Sequence, residues 1–277
     1  MSKKWLKVAL MVTAIATGTS IQVDAETVLY VPQDDRPVSL QYTVDTAKAA
    51  GMTVLTPPQN LISGKTYKGQ ADQIWNWVEQ NAGRADVMVL STDTLIYGGL
   101  VDSRKHNLPL STLENRLKRI EALKANHKNT RIYGFGTVMR SPRASGGGTE
   151  PSYYADYGPT IFQIAALQDK LDAGTLTQAE TQKLMSLQAS VPVEYLQDWF
   201  SRRQKNMQVN KDLIDEARNG VFSYFALGHD DTSQLSQSAL EGRYLNQYSK
   251  GIPRTQYGSF PGADQLGLLL MARSRTD

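Results

Sequence analysis

The stretch Tyr224-Phe-Ala-Leu-Gly-His-Asp-Asp-Thr-Ser233 decides the fold that we predict for this chain. An apolar run, Val221 to Leu227, is typical of a buried strand, and it ends at Gly228, directly before a histidine and two acids. Ligands of α/β proteins bind at the carboxyl ends of parallel strands, because loops and helix N-termini converge there. The stretch therefore predicts a buried strand and a candidate site at its end.

Four earlier apolar runs also predict strands, at residues 26–32, 52–55, 86–90 and 131–139. Helical patterns alternate with them or follow them, at residues 40–50, 70–81, from 111 onward and at 263–273. This alternation predicts an α/β fold, with a mainly parallel sheet of five or six strands and flanking helices. The sheet would be either open and doubly wound or part of a barrel.

Residues 151–219 interrupt the alternation with a long, mostly helical segment. We expect a helical insertion here, which could be a lid over the strand ends or an ordinary connection between strands. Two Ser-x-x-Glu patterns, at Ser111 and at Ser238, match capping boxes and predict that helices start there.

Composition excludes several classes of function. A net charge of +3 without a basic cluster argues against a nucleic-acid partner. The absence of cysteine excludes disulfides, thiolate nucleophiles and Cys-ligated zinc.

Residues 1–25 have the pattern of a secretory signal peptide. Lys3 and Lys4 precede a short apolar core, Leu6 to Ala16, and small residues reach a cleavage position at Ala25. We therefore expect an exported α/β domain over residues 26–277, without a stable membrane span after cleavage. A short N-terminal membrane anchor is the alternative.

The helical pattern at 263–273 is apolar on almost every side, with Leu266, Leu268, Leu269, Leu270 and Met271. Such a helix needs to be buried on most sides. We expect either a partner that covers it or a missing C-terminal part of the protein.

Acids and arginines follow several of the predicted strands. Because parallel strands end at one edge of a sheet, these side chains should share a rim and contact a small-molecule or glycan ligand. The predicted substrate-binding residues are Asp34, Asp35, Arg36, Asp93, Tyr97, Arg104, Arg140, Arg143, His229 and Asp264. Each acid could instead cap a helix or pair with a nearby arginine.

Asp230 and Asp231 are the predicted catalytic residues. Two neighbouring carboxylates push their pKa values apart, which leaves one protonated as an acid and one ionised as a base. Glycoside hydrolysis requires such a pair. The same two acids and His229 could instead bind a divalent metal, or Asp231 could cap the next helix.

Two glycine-containing segments beside predicted strands could contact a ligand. Gly98-Gly99 would let the backbone approach it closely. The loop from Gly146 to Tyr157 carries three tyrosines and two acids, and aromatic rings suit stacking on sugars.

No cofactor is predicted. Gly64-Lys65-Thr66 resembles the end of a phosphate-binding loop, but Gln59 stands where its first glycine would be. Gly134-Phe-Gly136 lacks the third glycine of a dinucleotide fingerprint, because that position is Met139.

Several of these segments together resemble the bacterial domain-of-unknown-function family 4127. They are Pro32-Gln-Asp-Asp-Arg-Pro37, Pro57-Pro58, the run from Ser91 to Arg104, Gly228-His-Asp-Asp231 and Pro261-Gly-Ala-Asp264. The resemblance runs from about residue 26 to the C-terminus. Members of that family are usually longer, so it implies that this chain corresponds to an N-terminal half. It implies no activity.

Three functional hypotheses follow from the sequence. The first is an exported hydrolase of the glycoside-hydrolase type that acts on a glycan or cell-surface polymer, with Asp230 and Asp231 as acid and base. Asp231→Asn should then abolish turnover. The second is a non-catalytic extracytoplasmic protein that binds a carbohydrate or another solute. The third is a metal-dependent hydrolase.

Overall fold

In the computed structural model, which describes residues 25–231 and 233–277, six parallel strands form one open sheet. Their order is β2-β1-β3-β4-β5-β6. The strands are β1 (Thr27–Val31), β2 (Thr53–Leu55), β3 (Val87–Ser91), β4 (Arg131–Val138), β5 (Tyr224–His229) and β6 (Tyr257–Pro261). The predicted parallel α/β fold is confirmed, and the sheet is doubly wound rather than part of a barrel. The predicted signal peptide lies almost wholly outside the described residues.

The helices are bounded as follows: α1 (Gln41–Ala49), α2 (Ala71–Asn81), α3 (Thr92–Tyr97), α4 (Leu100–Lys105), α5 (Leu110–Asn126), α6 (Tyr154–Asp172), α7 (Gln178–Ser190), α8 (Val193–Arg218), α9 (Gln237–Tyr248) and α10 (Leu266–Ser274). Two short 3₁₀ helices lie at Gln59–Leu61 and Ala82–Arg84.

Both faces of the sheet are covered, which explains why its central strands are apolar without alternation. Side chains of a strand point alternately to the two faces. In β1, Leu29 and Val31 join a core with α2, α3, α5 and α8, whereas Val28 and Tyr30 join a second core with α1 and α10. The result is a three-layer molecule with the sheet in the middle.

Helix α10 is covered largely by this chain itself. Leu266, Leu270 and Met271 are buried against the sheet, while Leu269 remains 43 % exposed. The apolar pattern that led us to expect a covering partner is thus mostly explained by packing on β3, β4 and α1. Among the described helices, none is both long and apolar enough to cross a membrane.

Several predicted boundaries are wrong. Helix α5 starts at Leu110 after Pro109, without a side-chain cap, so Ser111 lies inside it. Helix α9 is capped by the Ser236 hydroxyl, which accepts from the Ala239 backbone N–H, so Ser238 is not its cap. Helix α10 starts three residues later than the pattern at 263–273 indicates.

The segment predicted as an insertion contains α6, α7 and α8. Helix α8 packs on α5, β4 and β5, as an ordinary covering helix does. Its buried Arg203 donates to the carbonyls of Met139 and Arg140 at the end of β4, at 2.7 and 2.9 Å. The same guanidinium donates twice to Glu241 of α9, at 2.7 Å each. Arg203 therefore joins α8 to the sheet and to α9.

Gly98 and Gly99 serve the packing of the chain on itself. A Cβ on Gly99 would lie 1.8 Å from the Ser63 Oγ, and a Cβ on Gly69 would lie 1.9 Å from the Gly98 carbonyl oxygen. Gly98 also has a φ of +112°, which disfavours other residues. Residues 63 and 69 thus approach these glycines closely, and the approach of a ligand to them stays a prediction.

We expect Gly69→Ala to destabilise the fold by about 2 kcal/mol or more, because the new methyl group overlaps the Gly98 carbonyl. Chemical denaturation would measure the loss. Gly83→Ala is the matched control, because a Cβ there meets nothing within 4 Å. Equal stabilities of the two variants would contradict this account of the packing.

Candidate functional site

The candidate site lies at the carboxyl edge of the sheet, around the point where the strand order reverses. From β1 the chain goes outward to β2, then returns to β3 on the other side and continues to β6. Open α/β sheets bind ligands in the crevice at such a switch point. Gln33 follows β1 and Asp93 follows β3, and their side chains meet there at 3.3 Å.

Asp93 is an almost fully buried acid of this edge, at 2 % exposure. Its Oδ2 accepts from Thr137 Oγ1 of β4 at 2.7 Å and from Gln33 Nε2 at 3.3 Å. Burial raises the pKa of Asp93 to about 6, although both hydrogen bonds oppose the shift; the charge of Asp230 adds to it. Asp93 is therefore an internal acid that touches three strand ends.

Asp34, Arg36 and Asp264 form a chain of ion pairs between the end of β1 and the start of α10. Arg36 Nε donates to Asp34 Oδ2 at 2.7 Å, and its Nη2 donates to Asp264 Oδ1 at 2.7 Å. Asp34 is buried, whereas the side chain of Asp264 is 47 % exposed. Asp35 lies outside this chain and accepts a hydrogen bond from the Tyr67 hydroxyl.

A second network is centred on Arg104, which is 4 % exposed. Its Nη2 donates to Asp230 Oδ2, and its Nη1 lies 4.0 Å from Glu150 Oε1. Glu150 is itself held by Arg140, whose Nε donates to it at 2.8 Å. Burial raises the pKa of Asp230, while Arg104 and Arg140 oppose the rise. Arg104, in the short helix α4, thus fixes the position of Asp230 directly after β5.

Asp230 and Asp231 face different cavities. Asp230 lines a cavity of about 620 Å³ together with Phe260, Asp264 and Leu269. Asp231 lines a neighbouring cavity of about 320 Å³. Its Oδ1 accepts from the Ser233 backbone N–H at 2.9 Å, in a turn rather than at a helix start. The acid that shares a cavity with Asp230 is Asp264, and the predicted roles of Asp230 and Asp231 stay predictions.

His229 lines the smaller cavity with Asp231. Its Nε2 lies 2.7 Å from the Ser259 Oγ of β6, and burial lowers the pKa of the ring. The lower pKa of His229 favours the neutral form of its imidazole near pH 7. In residues 25–231 and 233–277, no group of three or more His, Asp or Glu side chains is arranged to hold a metal ion. The metal-dependent hypothesis therefore has no ligand set in this part of the chain.

Two predicted site residues are engaged elsewhere. Tyr97 is buried and stacks on His106, with ring centroids 4.9 Å apart. Arg143 is exposed and lies over the ring of Phe162, at 5.3 Å from its centroid. These contacts are with the chain itself and place neither residue in the two cavities.

The tyrosines of the loop after β4 pack into the helices. Tyr153 stacks on Tyr195 with centroids 4.7 Å apart, and Tyr157 packs against the same ring at 5.5 Å. Tyr154 is fully buried beside Trp199. All three rings contribute to the core of α6, α7 and α8, with Tyr153 and Tyr157 only half-buried, and their stacking on a sugar stays a prediction.

Sequence reasoning missed Gln33, Glu150 and Phe260. Gln33 lies inside the quoted Pro32–Pro37 motif, so its position after β1 could have identified it. Glu150 lies in the glycine-rich loop, and its partner Arg140 is ten residues away. Phe260 belongs to β6, a strand that the sequence pattern does not identify.

We expect Asp93→Asn to flatten the dependence of stability on pH. The folded-state pKa of Asp93, about 6, lies above its unfolded value near 3.8, so wild-type protein loses stability as pH rises from about 4 to about 6. The loss should be on the order of 3 kcal/mol and absent from the variant. Urea unfolding at pH 4 and pH 8 measures it, with Asp156→Asn, an exposed acid, as control. Identical pH profiles for wild type and Asp93→Asn would contradict the prediction.

A comparison with curated proteins found no match to this chain. A comparison with family models found one that matches residues 28–277, nearly the whole chain, and its description is "Protein of unknown function (DUF4127)". The motifs that meet at the carboxyl edge, including Asp34, Asp93, Asp230 and Asp264, all lie inside the matched residues. The chain belongs to the DUF4127 family, as its motifs indicated.

Proposed function

We propose that the mature chain is an exported hydrolase of a glycan or a similar polyhydroxylated polymer, in which Asp230 and Asp264 are the reacting acids. The observation that carries the proposal is that these two carboxylates line one cavity and differ in burial, with side-chain exposures of 15 % for Asp230 and 47 % for Asp264. Asp230 is largely buried with a raised pKa, which favours a proton donor. Asp264 is half exposed and accepts from both terminal nitrogens of Arg36, at 2.7 and 3.3 Å, in a two-pronged ion pair.

Glycoside hydrolysis divides its chemistry between two such groups. One carboxylic acid protonates the oxygen of the leaving sugar, and the other carboxylate acts as base or nucleophile at the anomeric carbon. Asp230 takes the first role and Asp264 the second in our proposal. Arg104 and Arg36 are positioning residues, because each holds one acid by a hydrogen bond.

The shape and lining of the cavity support a sugar as ligand. Its volume of about 620 Å³ lies within the range of small-ligand sites. Phe260 and Leu269 line it, and they offer an aromatic and an aliphatic surface for the apolar face of a sugar ring.

A non-catalytic binding protein is the second candidate, and the ion pairs favour it. Both acids of the cavity already accept hydrogen bonds from arginines, Asp230 from Arg104 and Asp264 from Arg36. Such pairs can hold sugar hydroxyls in fixed positions without any proton transfer.

We expect Asp230→Asn and Asp264→Asn each to lower hydrolysis by about 10²-fold or more, because each removes an acid or base. A panel of oligosaccharides, with release of reducing ends as the readout, measures turnover. Asp231→Asn is the matched control and should stay within a few-fold of wild type, because its side chain lines the other cavity.

Two outcomes would contradict the acid pair. If Asp231→Asn is as inactive as Asp230→Asn, the adjacent acids of the sequence hypothesis form the pair. If calorimetry detects binding of an oligosaccharide by the wild type and no reducing ends appear, the protein captures its ligand without cleaving it.

Export is part of the proposal and is supported by the pattern of residues 1–25. We expect the secreted protein to begin at Glu26, as determined by N-terminal sequencing. Ala25→Leu should block cleavage, because signal peptidases require a small residue at that position. A full-length chain that stays with the membrane fraction would instead support the short anchor.

A further inference from the structure

A third cavity, of about 640 Å³, opens beside the ends of β1 and β2. Asp35 of the segment after β1 lines it, as do Pro57 and Pro58 after β2 and Asp45 of helix α1. It shares no lining residue with the cavity of Asp230 and Asp264. The hydrolysis proposed above does not use it.

The walls of this cavity combine apolar surfaces with neutral hydrogen-bonding groups. Trp77 of α2 is half-buried and lines it together with the two prolines and Gln59. Aromatic and proline surfaces suit the C–H face of a saccharide ring, whereas the amide suits its hydroxyls. The walls alone would accept a neutral sugar.

The charged residues that line the cavity determine which charge a ligand can carry. Asp35 and Asp45 are both acidic, and none of the residues that line the cavity in the described part of the chain is Lys or Arg. Asp35 accepts from the Tyr67 hydroxyl through Oδ2. Asp45 is exposed on α1. This arrangement repels sulfated or uronic sugars and attracts a ligand with a positive charge, which an indole ring also favours.

We propose that this cavity is a binding site for a saccharide with free amino groups, whose ammonium contacts Asp45 and Asp35 while its ring packs on Trp77. The site holds a cationic stretch of a glycan, in a cavity separate from the one where Asp230 and Asp264 lie. It is independent of hydrolysis, because binding here requires no reaction.

The test is isothermal titration calorimetry of the mature protein with a glucosamine tetramer, at low salt and at a pH that keeps the amino groups protonated. The N-acetylglucosamine tetramer is the matched neutral ligand. We expect the glucosamine tetramer to bind at least ten-fold more tightly, and added salt to weaken its binding. Equal affinity for the two tetramers, or no binding of either, would overturn the proposal.

Variants locate the site. Asp45→Asn should weaken binding of the glucosamine tetramer about five- to ten-fold, because one charge-assisted contact is lost. Asp156→Asn, an exposed acid on α6, should leave it unchanged. Asp230→Asn and Asp264→Asn should also leave it unchanged, even if they abolish hydrolysis. If binding is lost in Asp264→Asn and kept in Asp45→Asn, the ligand sits in the other cavity and this assignment is wrong.

Discussion

Parallel pairing of β1, β3, β4 and β5 in one register is the constraint on which the rest of the structure depends. The pairing places Val89 beside both Tyr30 and Tyr133, so the residues that follow these strands emerge side by side. That is why the Asp93 carboxylate can accept hydrogen bonds from Gln33 and Thr137 at once. A shift of one residue in any strand would turn its inward side chains to the opposite face and separate these groups.

Burial of several acids at one edge of the sheet is electrostatically unfavourable, and arginines offset part of this cost by pairing with them. A carboxylate removed from water is stable only when it is paired or protonated. Arg36 pairs with Asp34, whereas Asp93 has only neutral partners and a pKa of about 6. Arg104 pairs with Asp230 and reduces, without cancelling, the rise that burial causes in the pKa of Asp230. The same edge therefore contains acids in two electrostatic states, which is the property that acid–base chemistry requires.

The sequence predicted the parts of the structure that depend on local pattern. Apolar runs identified five strands, and the rule that parallel strands end at one edge predicted that distant acids would gather there. Asp34, Asp93 and Asp230 do lie at that edge. Helix starts were less accurate, because Pro109 and Ser236 begin their helices ahead of the capping patterns.

What the sequence left out depends on long-range geometry. Asp230 and Asp231 are neighbours in the chain, yet they face different cavities, because the chain leaves β5 after His229 and enters a bend and a turn there. Asp264 lines the same cavity as Asp230 because the chain packs α10, which follows Asp264, back onto the sheet. The tyrosines after β4 looked available for a ligand because the pattern of 151–219 did not reveal that α6, α7 and α8 form a core of their own.

The guanidinium of Arg203 has a mechanical consequence. It bonds to two carbonyls of the sheet's edge and to both oxygens of a carboxylate on α9, and almost none of it is open to water. Swinging α8 outward would leave an uncompensated charge in the interior, at a cost of several kcal/mol. The long helix α8 is therefore held against the sheet and α9, and any movement of it away from the strand ends would have to break these four hydrogen bonds.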